Sequence, residues 1–108
     1  TRFKAAFAGA GGAEWVADWG ACGFGLSFLN YYLGASPFED PDAYRRNAPI
    51  YDFPKVRTPT LFIHGTADTA VPTHHSWLQY NALRAAGRPV AGSKARWDTA
   101  DLAGWYDA

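Results

Sequence analysis

At 108 residues the chain has room for one domain, or for a part of one. Ten Lys and Arg balance ten Asp and Glu, so no basic field exists to hold phosphates, and nucleic acid is excluded as the main partner. No run approaches the ~20 apolar residues of a membrane span, no signal peptide is visible, and the single Cys22 permits neither an intrachain disulfide nor a Cys-based metal framework.

Residues 3–8, Phe-Lys-Ala-Ala-Phe-Ala, form a short and mostly apolar run that predicts a strand. It ends in Gly-Ala-Gly-Gly at 9–12, a tight turn whose small residues allow another segment to approach closely. The glycine spacing does not match a dinucleotide fingerprint, and no cofactor is expected. Residues 13–19 suit about two helical turns, which Gly20, Gly23 and Gly25 interrupt. Cys22 reads as a small buried or half-buried residue, because no charge partner stands near it in sequence. A second helix is expected over 27–33, stopped by Gly34.

A turn-rich joint follows at 36–41. Asp40 is placed to cap a short helix over 41–46, with Pro41 at the first position, where its missing N–H costs nothing. Arg45 and Arg46 read as a solvated helix face. Residues 48–57 read as loop. Two explanations stand for Trp15, Trp19, Tyr31 and Tyr32: they pack a core, or they crowd a surface that meets another domain.

Residues 58–72 are the stretch that bears on chemistry. Pro59 belongs at the start of a strand because it cannot donate to a ladder. Leu61, Phe62 and Ile63 suit a strand buried on both faces of a parallel sheet. His64 and Gly65 end it, and Asp68 sits on the turn beyond. A carboxylate there lies at the carboxyl end of the strands, where open α/β sheets place their sites. Read from the residues alone, Asp68 is either a catalytic acid or the closer of an Asx-type turn. The separation of about fifty residues between the two strands far exceeds the dozen or so of a minimal parallel crossover, so a helical excursion must intervene.

The clearest helix covers 73–86, with Trp77, Tyr80 and Leu83 three apart, Thr73 as the expected N-cap and Gly87 as the stop. His64 is expected to have a satisfied side chain. His74 and His75 open this helix and are expected to be neutral and partly exposed, because the dipole disfavours added positive charge there. Their spacing identifies no third ligand, and no metal site is expected. After Val90 strand alternation is lacking. A helical turn or two is expected over 101–106, and poor order over 91–108.

The run from Thr58 through Asp68 to Val71-Pro72 resembles the catalytic domain of the prolyl oligopeptidase family of serine peptidases. Supporting matches are Tyr31-Tyr32-Leu33-Gly34, Ser36-Pro37-Phe38, the Ala48-Pro49-Ile50 turn, residues 76–90, and residues 3–11 as the strand after the nucleophile helix. The resemblance implies an α/β class, with parallel strands and crossover helices making part of an α/β-hydrolase fold. It covers residues 1–90 and leaves 91–108 as a divergent tail. It implies that Asp68 is the acid of a Ser-His-Asp triad, fixing an imidazole tautomer and stabilising the imidazolium.

The departures are specific. Ser27, Ser36, Ser76 and Ser93 all lack the Gly-x-Ser-x-Gly elbow, and none of the three histidines stands at the triad position. The family's His follows a further strand, which would begin near Val90. The chain therefore reads as a fragment of a peptidase, inactive alone, with a peptide substrate in the complete parent and a tail that a frameshift or truncation explains. The alternatives are a non-catalytic binding or assembly module on the same scaffold, or a fragment of a related esterase. With both neighbouring strands missing, the strands at 3–8 and 61–63 would leave apolar edges open to self-association.

Overall fold

The computed structural model describes residues 2–95, with side chains through Gly92, and the backbone of residues 102–107. Four strands stand side by side in sequence order: β1 (Ala6–Gly9), β2 (Thr60–Gly65), β3 (Val90–Ala95) and β4 (Leu102–Asp107). The first three are parallel, and β4 returns antiparallel to β3. Between β1 and β2 lie α1 (Trp15–Ala21), α2 (Gly25–Leu33), α3 (Pro41–Arg46) and a 3-10 helix (Pro49–Lys55); α4 (His74–Ala85) joins β2 to β3. This is the α/β arrangement of parallel strands and crossover helices that the sequence predicts.

Local signals explain most helix ends. Glu14 caps α1, its two carboxylate oxygens accepting from the N–H groups of Val16 and Ala17 at 2.6 and 3.0 Å. Asp40 caps α3 by accepting from Ala43 N–H at 3.1 Å. Gly34 stops α2 with φ 82°, and Gly87 follows α4 with φ 70°, conformations that glycine takes without a Cβ penalty. Thr73 precedes α4 but does not cap it with its side chain; its hydroxyl donates to the Gly65 carbonyl at 3.0 Å and closes the base of the loop after β2.

One face of the sheet carries the main core. Phe62 and Val90 on the strands pack with Tyr80 and Leu83 of α4, while Ala8, Phe53 and Val56 border them. Gly92 lies in the same row, and a Cβ there would stand 3.5 Å from the Tyr80 ring, so a small residue suits the close approach of α4. A second cluster joins the excursion helices: Leu29, Ala43 and Tyr44, with Trp15, Trp19 and Leu33 against them. Trp15 and Trp19 therefore follow the core reading, whereas Tyr31 and Tyr32 are exposed.

Several expectations are corrected. Residues 48–57 are largely 3-10 helix, a geometry that accommodates Pro54 in short turns. Val90–Ala95 is a strand despite its lack of alternation, because ladder pairing with β2 and cover from α4 decide its state more than intrinsic propensity does. Residues 102–107 form a strand rather than helical turns, paired with β3. The expected poor order of the tail concerns in part residues 96–101 and 108, which lie outside the described residues. Since β3 borders β2, the expected open edge at Leu61 is closed, and β1 alone keeps an outer edge among the parallel strands.

The expectation that the Leu61 strand is buried on both faces also changes. Phe7, Leu61 and Ala91 are register partners on the face opposite Phe62; Leu61 and Ala91 are half-buried and Phe7 is 66% exposed. Consecutive parallel strands laid down in one direction, with right-handed crossovers, place their helices on a single face. That topology explains the asymmetry.

Candidate functional site

β2 ends at Gly65, and the chain turns through residues 65–73 before entering α4. Asp68 stands in this loop at the carboxyl end of the parallel strands. One carboxylate oxygen, Oδ1, accepts from the N–H groups of Ala70 and Val71 at 3.0 and 2.8 Å. The Asx-type turn of the sequence reading is therefore present, and it fixes the orientation of the carboxyl group. The second oxygen, Oδ2, lies 3.6 Å from His64 Nε2, too far for a good hydrogen bond. The side chain is 17% exposed. Turn closure thus uses one oxygen of the carboxylate, Oδ1.

Beneath the loop, His64 is 2% exposed and both ring nitrogens are engaged. Nε2 lies 2.6 Å from the Val71 carbonyl and Nδ1 lies 2.6 Å from the Ser76 hydroxyl. A carbonyl only accepts, so Nε2 carries the hydrogen; in the neutral ring Nδ1 then accepts a hydrogen bond from the Ser76 hydroxyl. The satisfied side chain expected of His64 is observed.

His75 departs from expectation, being 0% exposed. Its Nδ1 accepts from the Ala13 N–H at 3.2 Å, and its Nε2 donates to Asp18 Oδ1 at 2.9 Å. The backbone N–H fixes the tautomer, since a donor can only meet an unprotonated nitrogen. The pair ties α1 to the first turn of α4. Gln79 adds a second tie, donating to the Gly11 carbonyl at 2.9 Å. No local pattern announces Asp18 and His75, because the contact spans 57 positions.

His74 is partly buried, as expected, and its ring lies 4.2 Å from that of His75. Its Nε2 is buried without a partner among the described residues. Burial, then the neighbouring His75, holds its pKa below the usual histidine value, with Glu14 and Asp18 pulling the other way. His64 and His75 have no ring nitrogen left for a substrate. Among the described residues no group of three His, Cys, Asp or Glu is arranged to hold a metal ion.

An apolar pocket of about 510 Å³ opens beside the Asp68 loop. Trp15 and Cys22 of the α1 region, Phe24, Phe28 and Leu29 of the α2 region, and Val71 of the loop form much of its wall. The Gly23 N–H donates to the Thr69 carbonyl at 3.1 Å, which fixes the excursion against the loop and holds the pocket walls together.

A model of the prolyl oligopeptidase family matches residues 1–95. An acylamino-acid-releasing enzyme of Arabidopsis thaliana is 36% identical over 61 residues, 56% of this chain and 8% of that enzyme. The uncharacterized peptidase YtmA of Bacillus subtilis is 33% identical over 58 residues, 54% of this chain and 23% of its own length. Among solved structures, Pyrococcus horikoshii acylaminoacyl peptidase aligns with a TM-score of 0.79 and 28% identity, covering 89% of this chain and 15% of that one. A puromycin-hydrolyzing peptidase of Mycobacterium tuberculosis aligns with a TM-score of 0.72 and 26% identity, covering 87% and 14%. The chain thus spans less than a quarter of the length of each of these relatives.

Proposed function

Because this chain belongs to the prolyl oligopeptidase family of serine peptidases, we propose that it is the portion of such a peptidase that supplies the triad acid, Asp68, and one wall of the substrate pocket. The observation that carries the reading is the division of labour on the Asp68 carboxylate. Oδ1 is saturated by the Ala70 and Val71 amides, while Oδ2 stands at the carboxyl rim of the sheet without a close donor among those described.

In this role Oδ2 accepts the N–H of an imidazole carried outside residues 1–108. That hydrogen bond fixes the imidazole's tautomer, so its other nitrogen takes the proton of an elbow serine as the serine attacks a peptide carbonyl. The carboxylate then stabilises the imidazolium while the acyl-enzyme forms, and the proton passes to the leaving amine. The apolar pocket beside the loop accepts an apolar group of the substrate, because its lining offers dispersion contact and little hydrogen bonding. Alone, the chain has no elbow serine, and on this reading it hydrolyses nothing.

Fragment complementation tests this. The chain is mixed with an upstream piece of a family member bearing the elbow serine and a downstream piece bearing the triad histidine. Hydrolysis of a peptide substrate that needs all three pieces, and disappears with Asp68→Ala, is the expected result. Hydrolysis by the reconstituted mixture that persists with Asp68→Ala would overturn the assignment.

A further inference from the structure

Resting on the reading of Asp68 as the triad acid, we infer that His64 is a positioning residue for its carboxylate, acting through both sides of Val71. The Val71 N–H donates to Asp68 Oδ1 at 2.8 Å, and the Val71 carbonyl accepts from His64 Nε2 at 2.6 Å. The two peptide planes that flank Val71 are thereby held independently, one by the carboxylate and one by the imidazole. Pro72 follows, and its ring fixes the next φ, so little torsional freedom remains there. The imidazole is itself anchored on α4 through the Ser76 hydroxyl at 2.6 Å.

The resulting relay runs from the first turn of α4, through a ring that solvent barely reaches, to the amide that orients Asp68. Thr73 closes the base of the same loop on the Gly65 carbonyl. A triad acid must be held to a fraction of an ångström, and positioning by buried neighbours is how such groups are held. A side chain that merely filled the space under the loop would not require a donor at the Nε2 position. The geometry requires one, because Val71 presents a carbonyl there.

Two substitutions separate these roles. Gln places its amide N–H where Nε2 stands, whereas Asn reaches only the Nδ1 position. In the 108-residue chain, hydrogen exchange of the Val71 amide is followed by NMR together with amides of β2 and α4. His64→Asn is expected to accelerate Val71 exchange about tenfold, the equivalent of one lost hydrogen bond, while β2 and α4 amides keep their rates. His64→Gln is expected to restore the native rate. Ser76→Ala, which retains the ring but removes its anchor, is expected to accelerate Val71 exchange in the same direction and guards against an Asn variant that fails to fold.

Native Val71 exchange in both His64→Asn and Ser76→Ala would overturn the inference. So would equal acceleration by Gln and Asn. The readout involves no catalysis, so it stands or falls separately from the complementation result for Asp68.

Discussion

Asp18 and His75 meet at 2.9 Å in the interior although 57 positions separate them, and the ring's other nitrogen is occupied by the Ala13 amide. This one imidazole therefore holds the residue before the α1 cap, the body of α1 and the first turn of α4 in a fixed relation. Removing it with His75→Leu strands a buried carboxylate and a backbone N–H, with an expected loss of about 3–5 kcal/mol. Asp18→Asn leaves an acceptor in place and is expected to cost about 1 kcal/mol. Urea denaturation of both variants checks the ranking; equal losses would show that the pair does not carry the contact.

His74 contributes a pH dependence to stability. Its folded pKa lies below 6.5, chiefly because burial disfavours the charged ring. As pH falls through 6.5 the unfolded chain takes up this proton first, so it holds more protons than the folded chain and stability declines. Above that pH the group contributes no slope. His74→Gln is expected to flatten the decline on the acid side, measured as the difference in denaturation midpoint between native and variant across pH.

Gly25 lies where α2 passes close to the backbone of α1. A Cβ there would stand 2.3 Å from the Asp18 carbonyl and 3.0 Å from Cys22 Cβ, both on or beside α1. Gly25→Ala must push α1 and α2 apart, at an expected cost of about 1–3 kcal/mol. Gly92→Ala meets only ordinary contacts at 3.5 Å and beyond, so it is expected to be nearly neutral. Thermal melts of the two variants provide the comparison, and a neutral Gly25→Ala would contradict the packing described.

The outer edge of β1 predicts self-association of the isolated chain. Ala6 and Ala10 direct their N–H groups to β2, which leaves the intervening Phe7 with its backbone groups facing outward and its ring 66% exposed. Sedimentation velocity is expected to show association that grows with concentration. Phe7→Lys, a charge on an open edge, is expected to shift the chain toward monomer. A native chain that remains monomeric throughout the concentration series would contradict this.

Much of this architecture is legible in local chemistry. Pro59 before an apolar triplet, Gly34 and Gly87 after helical runs, and Asp40 before Pro41 each act within a few residues of themselves. The position of Asp68 follows from the strand before it and the helix after it. What is not legible depends on distant partners. β3 contains Gly92 and Lys94 and is a strand because β2 offers it a ladder and Tyr80 lies over Gly92. The burial of His75 depends on Asp18, and the precise use of the two Asp68 oxygens depends on amides that only the folded loop aligns.

The central claim, that Asp68 is the acid of a serine-peptidase triad, is tested most directly in a chimera. Residues 1–95 replace the matching segment of a family peptidase chosen because its own elbow serine and triad histidine lie outside the exchange, and kcat is measured with and without Asp68→Asn. The expected result is an active chimera whose kcat falls about 10⁴-fold on that substitution, the scale set by loss of the correct imidazole tautomer. An active chimera whose kcat is unchanged by Asp68→Asn would contradict it.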